Sequence, residues 1–167
     1  VGGAFKTLNG VTVGRLARLN SDGTPDTTFN TEIGIGFDGP IRSISIQPDG
    51  KIVVGGIFTL FRNTKRVSLM RFNDDGTEDI DFYNLLGSNF ANAYVAYTVL
   101  VDGDYISVGG DFEKFDNKPS NSFAKLYLGT ENGITANRLS SKKTLNLTPL
   151  LIEPIYDSIF KFRAWNC

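Results

Sequence analysis

Between residues 41 and 54, Ile44 and Ile46 alternate with Ser43 and Ser45, a Pro48-Asp49-Gly50 turn follows, and Lys51 opens the β-branched run Ile52-Val53-Val54. Period-two alternation before a tight turn and a β-branched return after it predict an antiparallel hairpin. Gly55 and Gly56 continue the strand pattern, where glycine marks a bulge or the close approach of another backbone. A third strand is expected from about 67 to 73, and its nearly continuous apolar character, Leu69-Met70 with Phe72, predicts cover on both faces. The Asp75-Gly76 turn then leads into a short fourth stretch ending at Phe82, expected to be a strand.

This pattern recurs. Val1-Gly2-Gly3-Ala4-Phe5 returns as Val54-Gly55-Gly56-Ile57-Phe58 and as Val108-Gly109-Gly110-Asp111-Phe112, so the units start near 1, 54 and 108. Between the first two copies the register holds without a gap: Leu16/Leu69, Arg18/Arg71, Asn20/Asn73, Asp22/Asp75, Gly23/Gly76, Asp26/Asp79 and Phe29/Phe82 all lie 53 apart. In the third copy 123–126 still matches 69–72, and the pattern decays from 129 onward. Four short strands in a unit of roughly 50 residues is the size of one β-propeller blade. The expected fold is therefore all-β and β-propeller-like, with about three four-stranded blades of roughly 53 residues over 1–128. A divergent segment, 129–167, either completes the last blade or docks a partner.

The strings Arg18-Leu19-Asn20-Ser21-Asp22-Gly23-Thr24-Pro25-Asp26-Thr27-Thr28-Phe29-Asn30 and Gln47-Pro48-Asp49-Gly50-Lys51-Ile52-Val53-Val54-Gly55-Gly56-Ile57-Phe58 resemble the delta-60 repeat of β-propeller type. The resemblance covers roughly residues 1 to 128. It implies a binding or structural module of the kind found in phage virion proteins of tails and fibres and in secreted or surface proteins of bacteria.

Composition removes several chemistries. The chain has 167 residues, 41% of them hydrophobic and 21% charged, which supports a packed core. With 17 Lys+Arg against 18 Asp+Glu the net charge is −1, so no electrostatic pull toward nucleic acid or an anionic membrane is expected. There is no histidine, which argues against serine or cysteine triads and histidine-bound zinc. The one cysteine, Cys167, can form no intrachain disulfide.

Two sets of residues are candidates for chemistry. Asn20, Asp22 and Asp26, with Asn73, Asp75 and Asp79 in the next unit, place oxygen donors around a glycine turn and could bind calcium. The competing and stronger reading is a hairpin turn in which Asn and Asp satisfy local backbone donors. Arg18 and Arg71 recur on the third strand with Asp26 and Asp79 downstream, whereas the third copy has Lys125 and no matching acid; a structural Arg–Asp pair within or between blades is expected. The acids Asp74, Asp75, Glu78, Asp79 and Asp81 could serve glycoside hydrolysis, but a solvated loop explains them better. No cofactor is expected beyond the calcium alternative.

Three blades cannot close a ring that typically holds 4 to 8. Either further copies complete it, or the chain belongs to a longer protein, which a start in mid-strand at Val1 favours. Residues 155–165 read as a strand, with Phe160, Phe162 and Ala164 on one side and Ile159, Lys161, Arg163 and Trp165 on the other. Ile155, Tyr156, Phe160, Phe162 and Trp165 are the candidate partner-docking residues. The expected function is a non-enzymatic structural or recognition module in a virion, near tail or fibres. It would act with protein partners or further repeats, and without nucleic acid or membrane. A secreted or cell-surface bacterial propeller binding glycan or protein is the alternative, and a carbohydrate-active enzyme a third.

Overall fold

The computed structural model describes residues 1–86, 95–115, 118–119 and 122–128. It is mostly strand. In the first unit a small hairpin, β1 (Thr7–Leu8) and β2 (Val11–Thr12), precedes helix α1 (Thr27–Ile33). The second unit begins with the antiparallel pair β3 (Ile41–Ile46) and β4 (Ile52–Gly56), followed by a small hairpin, β5 (Leu60–Phe61) and β6 (Thr64–Lys65). It then returns through β7 (Leu69–Phe72) to helix α2 (Ile80–Leu86). The third unit repeats this with β8 (Val95–Asp102), β9 (Tyr105–Asp111), the hairpin β10 (Lys114–Phe115) and β11 (Lys118–Pro119), and β12 (Phe123–Tyr127).

Two three-stranded antiparallel sheets result, β3-β4-β7 and β8-β9-β12, with β4 and β9 central. The register makes them equivalent strand by strand. Ile44 pairs with Val54 and Val99 with Val108, and a bulge falls between Ile41 and Ser43 in one sheet and between Ala96 and Thr98 in the other. Each bulge lies opposite the Gly-Gly pair, where the sequence pattern expects a bulge or close approach.

The fourth stretch of the unit is a helix and not the expected strand. After the Asp-Gly turn the chain makes one further bridge, Leu19 to Pro25 or Phe72 to Glu78, and then coils. Asp26 takes an extended conformation and its side chain accepts from the Phe29 N–H, which makes it an N-cap. The signal was present in the spacing: Phe29/Ile33 and Phe82/Leu86 are four apart, which suits one face of a helix, and all four are buried. The second unit's main sheet is thus three-stranded, with helix α2 where a fourth strand was expected.

Both faces of the second sheet are covered. On one side Ile41, Ile52, Val54, Met70 and Phe72 pack with Leu16, Phe29 and Ile33 of the first unit. On the other, Val53, Leu69 and Phe82 pack with Val99, Ile106, Val108 and Leu126 of the third. Contact is close because of glycine. A Cβ on Gly55 would stand 2.9 Å from Val99 Cγ1 and 3.2 Å from the Ala96 carbonyl oxygen, and one on Gly2 would stand 2.7 Å from Ile44 Cδ1. Since Ile44 and Val99 hold the same register position, the two junctions are built alike.

Serine closes the seam between the second and third sheets. The Val99 N–H donates to Ser43 Oγ at 3.0 Å, Ser43 Oγ donates back to the Val99 carbonyl at 3.3 Å, and the Val101 N–H donates to Ser45 Oγ at 3.0 Å. Polar groups on the outer edge of β8, which β9 does not pair, are thereby satisfied.

Gly55→Ala is expected to lower stability by about 1–3 kcal/mol through overpacking at this seam. Combined with Val99→Ala, its cost in urea denaturation should fall below the sum of the two single costs, because the second change removes the clashing methyl.

Candidate functional site

The recurring charged residues come together where each Asp-Gly turn meets the following helix. In the first unit Arg18 Nε lies 2.8 Å from Asp26 Oδ2, and the guanidinium sits 4.5 Å above the Phe29 ring. The second unit has Arg71 Nη2 at 3.0 Å from Asp79 Oδ2, with the guanidinium 4.5 Å from the Phe82 ring. In both, one carboxylate oxygen takes the arginine while the other accepts a helix N–H, Phe29 or Phe82, at 3.1 Å. One aspartate therefore caps the helix and anchors the third strand.

The second copy is the more enclosed. Asp79 is 7% exposed and also receives Lys51 Nζ at 2.9 Å, while Lys51 reaches Asn73 Oδ1 at 2.7 Å. Burial raises the Asp79 pKa, but the hydrogen bonds from Lys51 and the Phe82 N–H and the charges of Arg71 and Lys51 outweigh it, so the net shift is downward. The Asp26 carboxyl is lowered by the Phe29 N–H first and by Arg18 second.

The turn residues are occupied locally. Asp22 Oδ1 accepts from the Thr24 N–H at 2.9 Å and from Thr24 Oγ1 at 2.6 Å, and Asp75 does the same with Thr77 at the same distances. These bonds hold both carboxyls below the ordinary range. Asn20 and Asn73 donate to Thr24 Oγ1 and Thr77 Oγ1. Among the described residues no group of three or more His, Cys, Asp or Glu side chains is arranged to hold a metal ion.

Two more of the acids considered for hydrolysis are likewise drawn into contacts. Asp74 receives Arg18 Nη1 at 3.0 Å, which ties the first unit to the second. Glu78 is paired with Arg66, whose guanidinium stacks 3.7 Å from the Tyr83 ring. Asp81 lies in the first turn of α2. Asp75 and Asp79, whose carboxyls are held below the ordinary range, serve poorly as proton-donating acids at neutral pH.

The contacts of Lys51, Arg66, Tyr83 and Asp38 escape the sequence reading, and Glu78 is read there only as a loop acid. Lys51 sits inside a quoted motif, but nothing in its spacing from Asp79 announces their contact. Arg66, Glu78 and Tyr83 become Val13, Pro25 and Asn30 at the matching positions of the first unit, so a strict search for repeated residues passes over them. Asp38 accepts from the Thr59 N–H, Thr59 Oγ1 and the Leu60 N–H, clamping the loop after α1 to the start of β5. The small hairpins were also unread, although Asn9-Gly10 is a strong hairpin signal and both residues have positive φ, 49° and 82°. The partner-docking candidates Ile155, Tyr156, Phe160, Phe162 and Trp165 lie outside the described residues.

The described residues form small antiparallel sheets stacked face to face, an arrangement similar to that of β-propeller-type repeats. A family model described as "Domain of unknown function (DUF5122) beta-propeller" matches residues 1–29 and 47–80, which are the first unit as far as the start of α1 and the second from the turn before β4 to the start of α2. No similar curated protein and no similar solved structure was found.

Asp79→Ala is expected to cost about 3–5 kcal/mol, because it strands two cations and uncaps α2. Asp26→Ala, beside a more exposed arginine, should cost clearly less than Asp79→Ala, mostly through loss of the cap. Urea denaturation of the two variants checks the order.

The pH dependence follows from the lowered carboxyls. With folded pKa values below the unfolded ones, their contribution is fully present above about pH 4 and is lost as pH falls through the folded values. The urea midpoint should fall below about pH 4 as these carboxyls protonate. Melting temperatures in EDTA and in excess calcium should coincide; a rise of more than about 3 °C with calcium would restore the metal reading.

Proposed function

We propose that this chain is a non-enzymatic structural or recognition module of a larger assembly, and that its setting is a phage virion near the tail or its fibres. The observation that carries the non-enzymatic part is the use of the repeated charged residues: Arg18, Asp26, Arg71 and Asp79 hold strands to helices in matching ways in successive units. A residue repeated in register serves the scaffold, whereas an active site usually breaks the repeat where it sits. The virion setting rests on the resemblance to delta-60 repeats. Among the described residues no helix is long and apolar enough to cross a membrane.

A secreted or cell-surface propeller that binds glycan or protein is a second reading, favoured by Tyr97. This side chain is 53% exposed at the bulge of β8, where the second sheet carries Arg42, and offers an aromatic face with a polar tip.

Intact mass spectrometry and electron microscopy of native material decide between them. The proposal expects the chain in several symmetric copies on a particle. Recovery as part of a monomeric soluble protein would overturn the virion setting, and retention on a glycan array that Tyr97→Ala abolishes would establish the second reading.

A further inference from the structure

Two side chains that the scaffold leaves unused hold the same place in successive units. In β3, Ile41 pairs with Gly56 and Ser43 with Gly55, so Arg42 has no partner across the sheet. In β8, Tyr97 stands likewise between Ala96, paired with Gly110, and Thr98, paired with Gly109. The bulge itself is a matter of backbone. A Cβ on Gly56 would lie 2.4 Å from the Pro40 carbonyl oxygen and one on Gly110 2.0 Å from that of Val95, so the chain entering each strand runs directly over the second glycine. Such a bulge needs an extra residue, and nothing in it requires an arginine or a tyrosine. Bulges turn a side chain away from the ladder and recur next to functional sites.

Both side chains are also free, which sets them apart in this molecule. Among the described residues Arg18, Arg66 and Arg71 are in ion pairs, Arg15 donates to the Phe37 carbonyl and Arg62 lies over the Phe61 ring. Arg42 is exposed and meets no acceptor, carboxylate or ring among them. The described tyrosines divide in the same way: Tyr83 lies under Arg66, Tyr105 and Tyr127 pack together, and Tyr97 is 53% exposed with no ring or cation against it. The two strands run side by side in one direction, since Ser43 bonds to Val99 and Ser45 to Val101, each pair 56 residues apart. Tyr97 therefore falls beside Ile41, one residue from Arg42, at the same end of the seam.

We propose that Arg42 and Tyr97 form a subsite for a carboxylated sugar, the chemistry that uronic and sialic acid residues of surface glycans share. The inference rests on the glycan-binding reading and names its ligand. A guanidinium holds a rigid fork of N–H donors that matches a carboxylate in one plane, and an arginine without a partner keeps all of them for a ligand. A tyrosine ring offers an apolar face to the C–H side of a sugar and a hydroxyl to its polar rim. A ligand that uses both is one with an apolar face and a negative charge beside it, which describes an acidic pyranose. A peptide carboxylate or a phosphate would engage the arginine and leave the ring empty.

The test applies the full chain to an array of uronic-acid-terminated, sialic-acid-terminated and neutral oligosaccharides. Retention on carboxylated chains is expected, and the two acidic arms identify which sugar is bound. Arg42→Ala and Tyr97→Ala should each weaken that retention at least about tenfold, while Arg42→Lys, which keeps the charge without the fork, should fall in between. Lys65→Ala removes an exposed cation from β6 and should leave retention unchanged. Unaltered melting temperatures, expected because these side chains are exposed, show that the variants are folded. Retention on neutral chains alone, or retention indifferent to Arg42, overturns the acidic subsite and leaves the glycan reading standing. An equal loss with Lys65→Ala overturns it too, because the attraction is then diffuse charge. Absence of retention on every arm overturns the glycan reading and the subsite together.

Discussion

A small three-stranded sheet with two apolar faces is stable only with a neighbour on each side, and that requirement organises this molecule. The second sheet satisfies it by lying between the first unit's Leu16, Phe29 and Ile33 and the third unit's Val99, Ile106 and Val108. The approach is close because Gly2 and Gly55 present backbone where any side chain would hold the sheets apart. Stability of each unit is therefore shared with its neighbours, as in other repeat arrays. The serine bonds from Ser43 and Ser45 to β8 satisfy the polar edge that such packing would otherwise bury.

The aspartate-capped helix is the second device on which the units depend. Following Asp26 or Asp79 the chain leaves the sheet, and Phe29 with Ile33, or Phe82 with Leu86, are buried. The arginine of the third strand lies between the capping carboxylate and the aromatic ring, so strand, cap and helix are joined through one guanidinium. Removing the charge on either side leaves the other desolvated, which explains why both members are replaced in the third unit, where Lys125 stands over Tyr105 instead.

Much of this could be read from the residues. Hairpin, bulge, third strand and unit length follow from alternation, turn chemistry and spacing, because these are local properties that the backbone obeys wherever the unit is placed. The Arg–Asp relation was legible as co-occurrence alone. The helix was not, since seven residues carry too weak a periodicity to compete with the strand pattern around them, although the four-residue spacing of Phe29 and Ile33 was available. Lys51 with Asp79, Arg66 with Glu78, and Asp38 with Thr59 were out of reach, because each joins side chains whose separation obeys no period.

The sequence by itself determined a repeat of β character, its register and the absence of histidine chemistry, since those are written in order and composition. Tertiary structure decided which carboxylates are available. Asp79 could be a calcium ligand, a catalytic acid or an arginine's partner in the linear reading, and only the convergence of Arg71, Lys51 and the Phe82 N–H on it makes it a structural anchor. The reason is physical: a carboxylate's role is set by the donors within about 4 Å of it, and those come from strands and turns far apart in the chain.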